Sequence, residues 1–187
     1  MSDFFKEATN QESDSMFAIR GDLDGGKDAQ DFAEMKQFIG LHIGDEEFLF
    51  PIEVMNEIIM VTQLTYVPGA PNYIEGVINL RGRILPAINL RKMMGMGTAA
   101  PTSHSRIIIA HFEDVMIGLI VDGITYVVSL TEGEIQNQTL SGKPGTELIS
   151  AISKRGEKVN GILDISKIIV ETGYDPNATD DEEDDDL

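Results

Sequence analysis

The 187-residue chain contains no cysteine, so neither disulfides nor thiolate metal sites can hold it together. Histidine is nearly absent as well. His42, His104 and His111 are the three present, and no two of them stand at a metal-ligating spacing such as H-x-x-x-H. Long apolar runs are missing: no stretch approaches the ~18 uninterrupted apolar residues a membrane-spanning helix needs. The opening "MSDFFKEATNQESDSMF" lacks a cationic region followed by an apolar one, so it does not read as a secretory leader. These absences predict a soluble, cytoplasmic protein with no bound metal or cofactor. Basic residues are also scarce, 14 against 32 acidic ones, and such a balance repels the phosphate backbone of nucleic acids.

That acidity is unevenly placed. Residues 1–36 hold nine acidic and four basic groups, and residues 171–187, ending "DDEEDDDL", hold nine acidic groups and no basic one. The remaining segment carries 14 acidic and 10 basic groups, close to balance. The reading is a near-neutral core between two acidic, flexible tails, 1–36 and 171–187.

Within the core the pattern is that of strands. "QFIGLHIG" and "FLFPIEVMNEIIMV" flank an acidic turn as a hairpin would. "VPGAPNY" breaks the chain at Pro68, Gly69 and Pro71. "YIEGVINLRGRILPAINL" then reads as two strands around Arg81-Gly82-Arg83, with Pro86 predicting an edge or a bulge. "NLRKMMG" fits a short helix capped by Asn89 and stopped by Gly95, with its methionines read as core.

The plan repeats after the linker "GMGTAAPTSHS". "RIIIAHF", Glu113-Asp114 and "VMIGLIVDGITYVVSL" follow the first hairpin, and "ISKRGEKVNGILDISKII" follows "INLRGRILPAINLRKMM". Arg155-Gly156 aligns with Arg81-Gly82, Asp164 with Asn89, and Lys167-Ile168-Ile169 with Lys92-Met93-Met94. Three features in one order predict an internal duplication, with halves about 37–97 and 104–170. Two small β-barrels packed together would bury a third apolar layer between them and leave a groove at the seam. No nucleophile–base pair, phosphate loop or carboxylate pair appears, so the chain does not read as an enzyme.

At "GVINLRGRILPAINLRK", with "FLFPIEVMNEI" before it and "GLIVDGITYVV" after it, the chain resembles the CheW chemotaxis coupling proteins over about residues 37–170. The resemblance implies an all-β fold of two pseudo-symmetric five-stranded SH3-like barrels with short helices. It implies a non-catalytic adaptor joining the cytoplasmic tips of chemoreceptors, the methyl-accepting chemotaxis proteins, to the regulatory domain of the histidine kinase CheA. Such an adaptor is recruited to membrane-associated receptor arrays. By the same resemblance Arg81, Gly76, Met55, Asn79 and Val127 face the receptor, with Val127 as the second-half counterpart of Met55. Glu57 and Ile58 face the kinase, and the loop from Gln136 to Ser141 makes a second kinase contact, although its residues depart from the familiar forms. Asn89 stands where the family often has aspartate. The alternative is a CheW-like scaffold module in another receptor–kinase pathway.

Overall fold

The strands of this protein are buried according to which of three apolar clusters each face meets. A computed structural model describes residues 35–137, 144–156 and 158–173; residues 1–34 and 174–187 of the acidic tails, and Ser141, lie outside that range. Eleven strands are described: β1 (Lys36–Ile43), β2 (Glu46–Pro51), β3 (Met55–Met60), β4 (Ile74–Leu80), β5 (Arg83–Asn89), β6 (Arg106–Phe112), β7 (Val115–Val121), β8 (Gly123–Leu130), β9 (Ile135–Asn137), β10 (Ile149–Arg155) and β11 (Lys158–Leu163). Helix α1 (Leu90–Met93) follows β5, and α2 (Ile165–Thr172) follows β11.

The fold is all-β, in two sheets. One is six-stranded in the order β8-β1-β2-β11-β10-β9, and the other five-stranded in the order β3-β6-β7-β5-β4. Read strand for strand, the orders match: β3, β6, β7, β5 and β4 stand where β8, β1, β2, β11 and β10 stand in the other sheet. This is the predicted pseudo-symmetry, but its units are not the sequence halves. The five-stranded sheet is one continuous segment, 55–121, while the other takes β1 and β2 from the start of the core and β8 to β11 from its end. The chain changes sheet over short links: only Ile52–Val54 separates β2 from β3, and only Asp122 separates β7 from β8. Among the described residues, no continuous ladder joins the first strand of either sheet to its last.

Three cores account for the apolar runs. In the hairpin β1–β2, Ile39, Leu41, Ile43, Phe48 and Phe50 point to the large central cluster, whereas Phe38 and Leu49 point into the six-stranded sheet's own interior. In β6–β7, Ile108, Ala110, Ile117, Leu119 and Val121 face the centre, and Ile107, Ile109 and Ile120 face the five-stranded sheet's interior. A strand covered on both faces cannot alternate with polar residues, which is why "RIIIA" and "GLIV" read as continuous apolar runs. The central cluster is the third layer predicted between the two units.

Both helices start as predicted. Asn89 Oδ1 accepts from the Lys92 N–H at 3.1 Å, and Asp164 Oδ1 accepts from the Ser166 N–H at 2.9 Å. Gly95 follows α1 in the left-handed region at φ 68°. Pro86 is not on an edge. β5 is flanked by β4 and β7, and proline is accommodated because the parallel β5–β7 ladder begins only at Ala87 opposite Gly118.

Candidate functional site

The β4–β5 turn explains why a glycine and two polar side chains interrupt an apolar segment. Leu80 pairs with Arg83, so Arg81 and Gly82 alone form the turn, and both lie in the left-handed region, at φ 52° and 86°. Two-residue hairpins of this hand match the twist of their strands. Asn79 secures the turn, its Oδ1 accepting from the Gly82 N–H at 2.9 Å. Arg81 is thereby held outward, with its side chain 78% exposed, and its Nη2 donates to Glu57 Oε2 at 2.9 Å.

Glu57 belongs to β3, at the opposite edge of the five-stranded sheet, so the ion pair spans two strands that share no ladder. A second link lies at the middle of β4. Thr65 and Val77 form an isolated antiparallel bridge, with Thr65 N–H to Val77 O at 2.9 Å and Val77 N–H to Thr65 O at 2.8 Å. Gly76 sits beneath that bridge at φ 146°, buried, where a Cβ would strike the Thr65 carbonyl oxygen.

Arg81, Asn79, Glu57 and Ile58 therefore share one edge-to-edge region, with Ile58 half-exposed on β3 beside Glu57. Met55 is partly buried against the central core. Val127 lies in the other sheet, exposed on the edge strand β8, and Gln136 is exposed on β9, paired with Ile152. The hairpins β1–β2 and β6–β7 match through their two-residue turns, which makes Ile39 the counterpart of Ile108 and Leu41 that of Ala110. Val127 pairs with Ile39 and Ile58 with Ile108, so the counterpart of Val127 is Ile58. Met55, opposite Ala110, corresponds to Ile124, opposite Leu41.

The second hairpin tip is displaced in the same way. Arg155 pairs with Lys158, so Gly156 occupies the place of Arg81, and Arg155 that of Leu80. The guanidinium at a left-handed turn is thus confined to the first tip. In the six-stranded sheet Glu47 accepts from the Tyr126 hydroxyl at 3.0 Å, with Lys158 Nζ 4.0 Å away. Partial burial and that bond to Glu47 push the Tyr126 phenol above its ordinary pKa.

Two residues of structural weight escaped the sequence reading. Asp122 Oδ2 accepts from the Gly44 N–H at 2.7 Å and from Arg91 Nη1 at 3.0 Å, tying the β1–β2 turn to α1. Its signal was a lone acid ending the apolar run of β7. Thr65, just before the break at "VPGAPNY", carried no local signal. A separate concavity of about 720 Å³ on the six-stranded sheet is lined by Phe48, Met94, Met96, Ile149, Val159 and Lys158 among others, and by none of the residues assigned to receptor or kinase. Among the described residues no group of acidic, histidine or cysteine side chains is arranged to hold a metal, and no helix is long and apolar enough to cross a membrane.

Residues 37–172 match the model of the CheW-like domain. The chain belongs to the CheW-like family of chemotaxis coupling proteins. It is 30% identical to the chemotaxis protein CheW of Helicobacter pylori, covering 86% of this chain and 97% of that one. The chemotaxis protein CheW of Thermotoga maritima is 33% identical, over 73% of this chain and 91% of its own. Among solved structures, the scaffolding protein TtCheW from Thermoanaerobacter tengcongensis superimposes with a TM-score of 0.65 at 30% identity, covering 70% of this chain and 85% of that one. As a CheW-like protein the chain is a non-catalytic coupling component of chemotaxis signalling, the role the resemblance implied.

Proposed function

We propose that this CheW-like chain couples the cytoplasmic tips of chemoreceptors to the regulatory domain of the kinase CheA, working in the cytoplasm at membrane-associated receptor arrays. The observation that carries the reading is the Arg81 turn. An arginine in the left-handed region, largely exposed and steadied by a carboxylate, is a poor choice for stability and a good one for recognition. Its planar fork supplies directional hydrogen bonds to a receptor helix, while Met55 and Val127 supply apolar area. Asn79 and Gly76 shape the wall on which Arg81 is presented. Glu57 and Ile58, on the edge strand β3, face the kinase, and Gln136 with Ser141 makes the second kinase contact.

The test is binding of the full chain to a receptor cytoplasmic-tip fragment and, separately, to the kinase regulatory domain. Arg81→Ala is expected to weaken the receptor complex by about 1–3 kcal/mol and to spare the kinase complex. A folded wild-type chain that bound neither partner would overturn the reading.

A further inference from the structure

We infer that Gly76 is a positioning residue that closes the five-stranded sheet, and that it serves both partner surfaces instead of touching one partner. The inference rests on the coupling function proposed above and adds a role for the segment between β3 and β4. In that sheet β3 and β4 are the two edges, and no ladder connects them among the described residues. The segment that follows β3 is tied to the middle of β4 by the pair of hydrogen bonds between Thr65 and Val77, and the exposed Arg81–Glu57 ion pair, which adds little stability, spans the same two edges.

The first link depends on Gly76 in two ways. Its φ of 146° is one that side-chain-bearing residues avoid, and the site of its Cβ is filled by the Thr65 carbonyl, with Leu64 Cβ only 3.4 Å off. Leu64 packs on the sheet's interior cluster, so the strap cannot simply lift to admit a methyl group. Burial leaves Gly76 little surface of its own to offer a partner.

Opening this link releases the segment after β3 from β4 and so loosens the hold of one edge on the other. Glu57 and Ile58 ride on β3, and Arg81 rides at the end of β4. A change at Gly76 therefore disturbs the kinase-facing and receptor-facing residues together, whereas a residue lining only the receptor groove affects one.

Four full-length chains separate the two cases: wild type, Gly76→Ala, Thr65→Pro and the double variant. Thr65→Pro removes the Thr65 N–H donor without altering Gly76 or Arg81. Each chain is titrated with the receptor-tip fragment and with the kinase regulatory domain, and backbone amide exchange is followed at Val77 and across β6–β7. Both single variants are expected to weaken both complexes by about tenfold, and to speed exchange at Val77 while leaving β6–β7 protected. The double variant is expected to be no worse than either single one, because both act through the same bridge; a general loss of stability would add instead. The inference is overturned if Gly76→Ala weakens the receptor complex alone with Val77 still protected, or if Thr65→Pro binds both partners as wild type does. Should the wild type bind neither fragment, the functional reading fails, and the exchange data alone decide whether Gly76 closes the sheet.

Discussion

Asn89 uses both ends of its carboxamide: Oδ1 accepts from the Lys92 N–H, and Nδ2 donates to Glu75 Oε1 at 2.8 Å. Glu75 also meets Lys92 Nζ at 2.8 Å, so cap, acid and lysine form one cluster at the start of α1. Aspartate at this place would cap the helix equally well but has no N–H to give Glu75. The asparagine is thus matched to this chain's glutamate. Asn89→Asp is expected to destabilise the fold by roughly 1 kcal/mol at neutral pH, through two facing carboxylates and a lost hydrogen bond. Denaturant titrations measure it, and an unchanged unfolding free energy would refute the pairing.

Arg81 offers a way to separate recognition from stability. Arg81→Gly removes the guanidinium and also relieves a left-handed backbone, while it loosens the unfolded chain. These effects oppose one another, and an exposed ion pair contributes little. The unfolding free energy should therefore stay within about 1 kcal/mol of wild type, while receptor-tip binding falls by about 1–3 kcal/mol. A large stability loss would show that the Arg81–Glu57 pair is structural.

The central core joins the two sheets. Leu41 is fully buried there, and Leu41→Ala is expected to cost about 2–5 kcal/mol. Because both sheets contribute to that cluster, the loss should lower a single transition. Separate transitions for probes placed in the two sheets would contradict a shared core.

Glu134 caps the turn after β8, its Oε2 accepting from the Thr131 N–H at 2.9 Å. That backbone hydrogen bond leads the factors holding its carboxyl below the ordinary value, ahead of the opposing effect of burial, with the Thr131 hydroxyl and Arg155 assisting. A depressed folded pKa stabilises the native state above the unfolded pKa, and the gain is lost as pH falls through the folded one. The thermal-midpoint gap between wild type and Glu134→Gln should be widest near neutrality and narrow in acid. A constant gap would mean that the charge is immaterial.

Much of the fold was legible because local signals were consistent. Glycines, capping residues and acidic turns bounded the strands, and the repeated caps Asn89 and Asp164 marked the pseudo-symmetry. The pairing of hairpins across the repeat was not legible, since the continuous apolar runs show burial on both faces without naming the sheet that covers them, and the short links between sheets look like any other turn. Of the site, Arg81 and Gly82 stood out as a tip, but the partner of Arg81 lies 24 positions away. The one-residue slip between the tips arose from aligning on arginine; counting back from Asn89 and Asp164 gives the register found.

The placement of one sheet within the other also dictates an order of synthesis. Every strand of the five-stranded sheet has left the ribosome once Val121 emerges, whereas the other sheet then holds only its first hairpin. That hairpin, β1–β2, must wait with unpaired edges until β8 arrives on one side and β11 on the other. The amino-terminal strands are thus made first and finished last, and a nascent chain stopped before Leu163 carries the unpaired, adhesive edges that chaperones recognise.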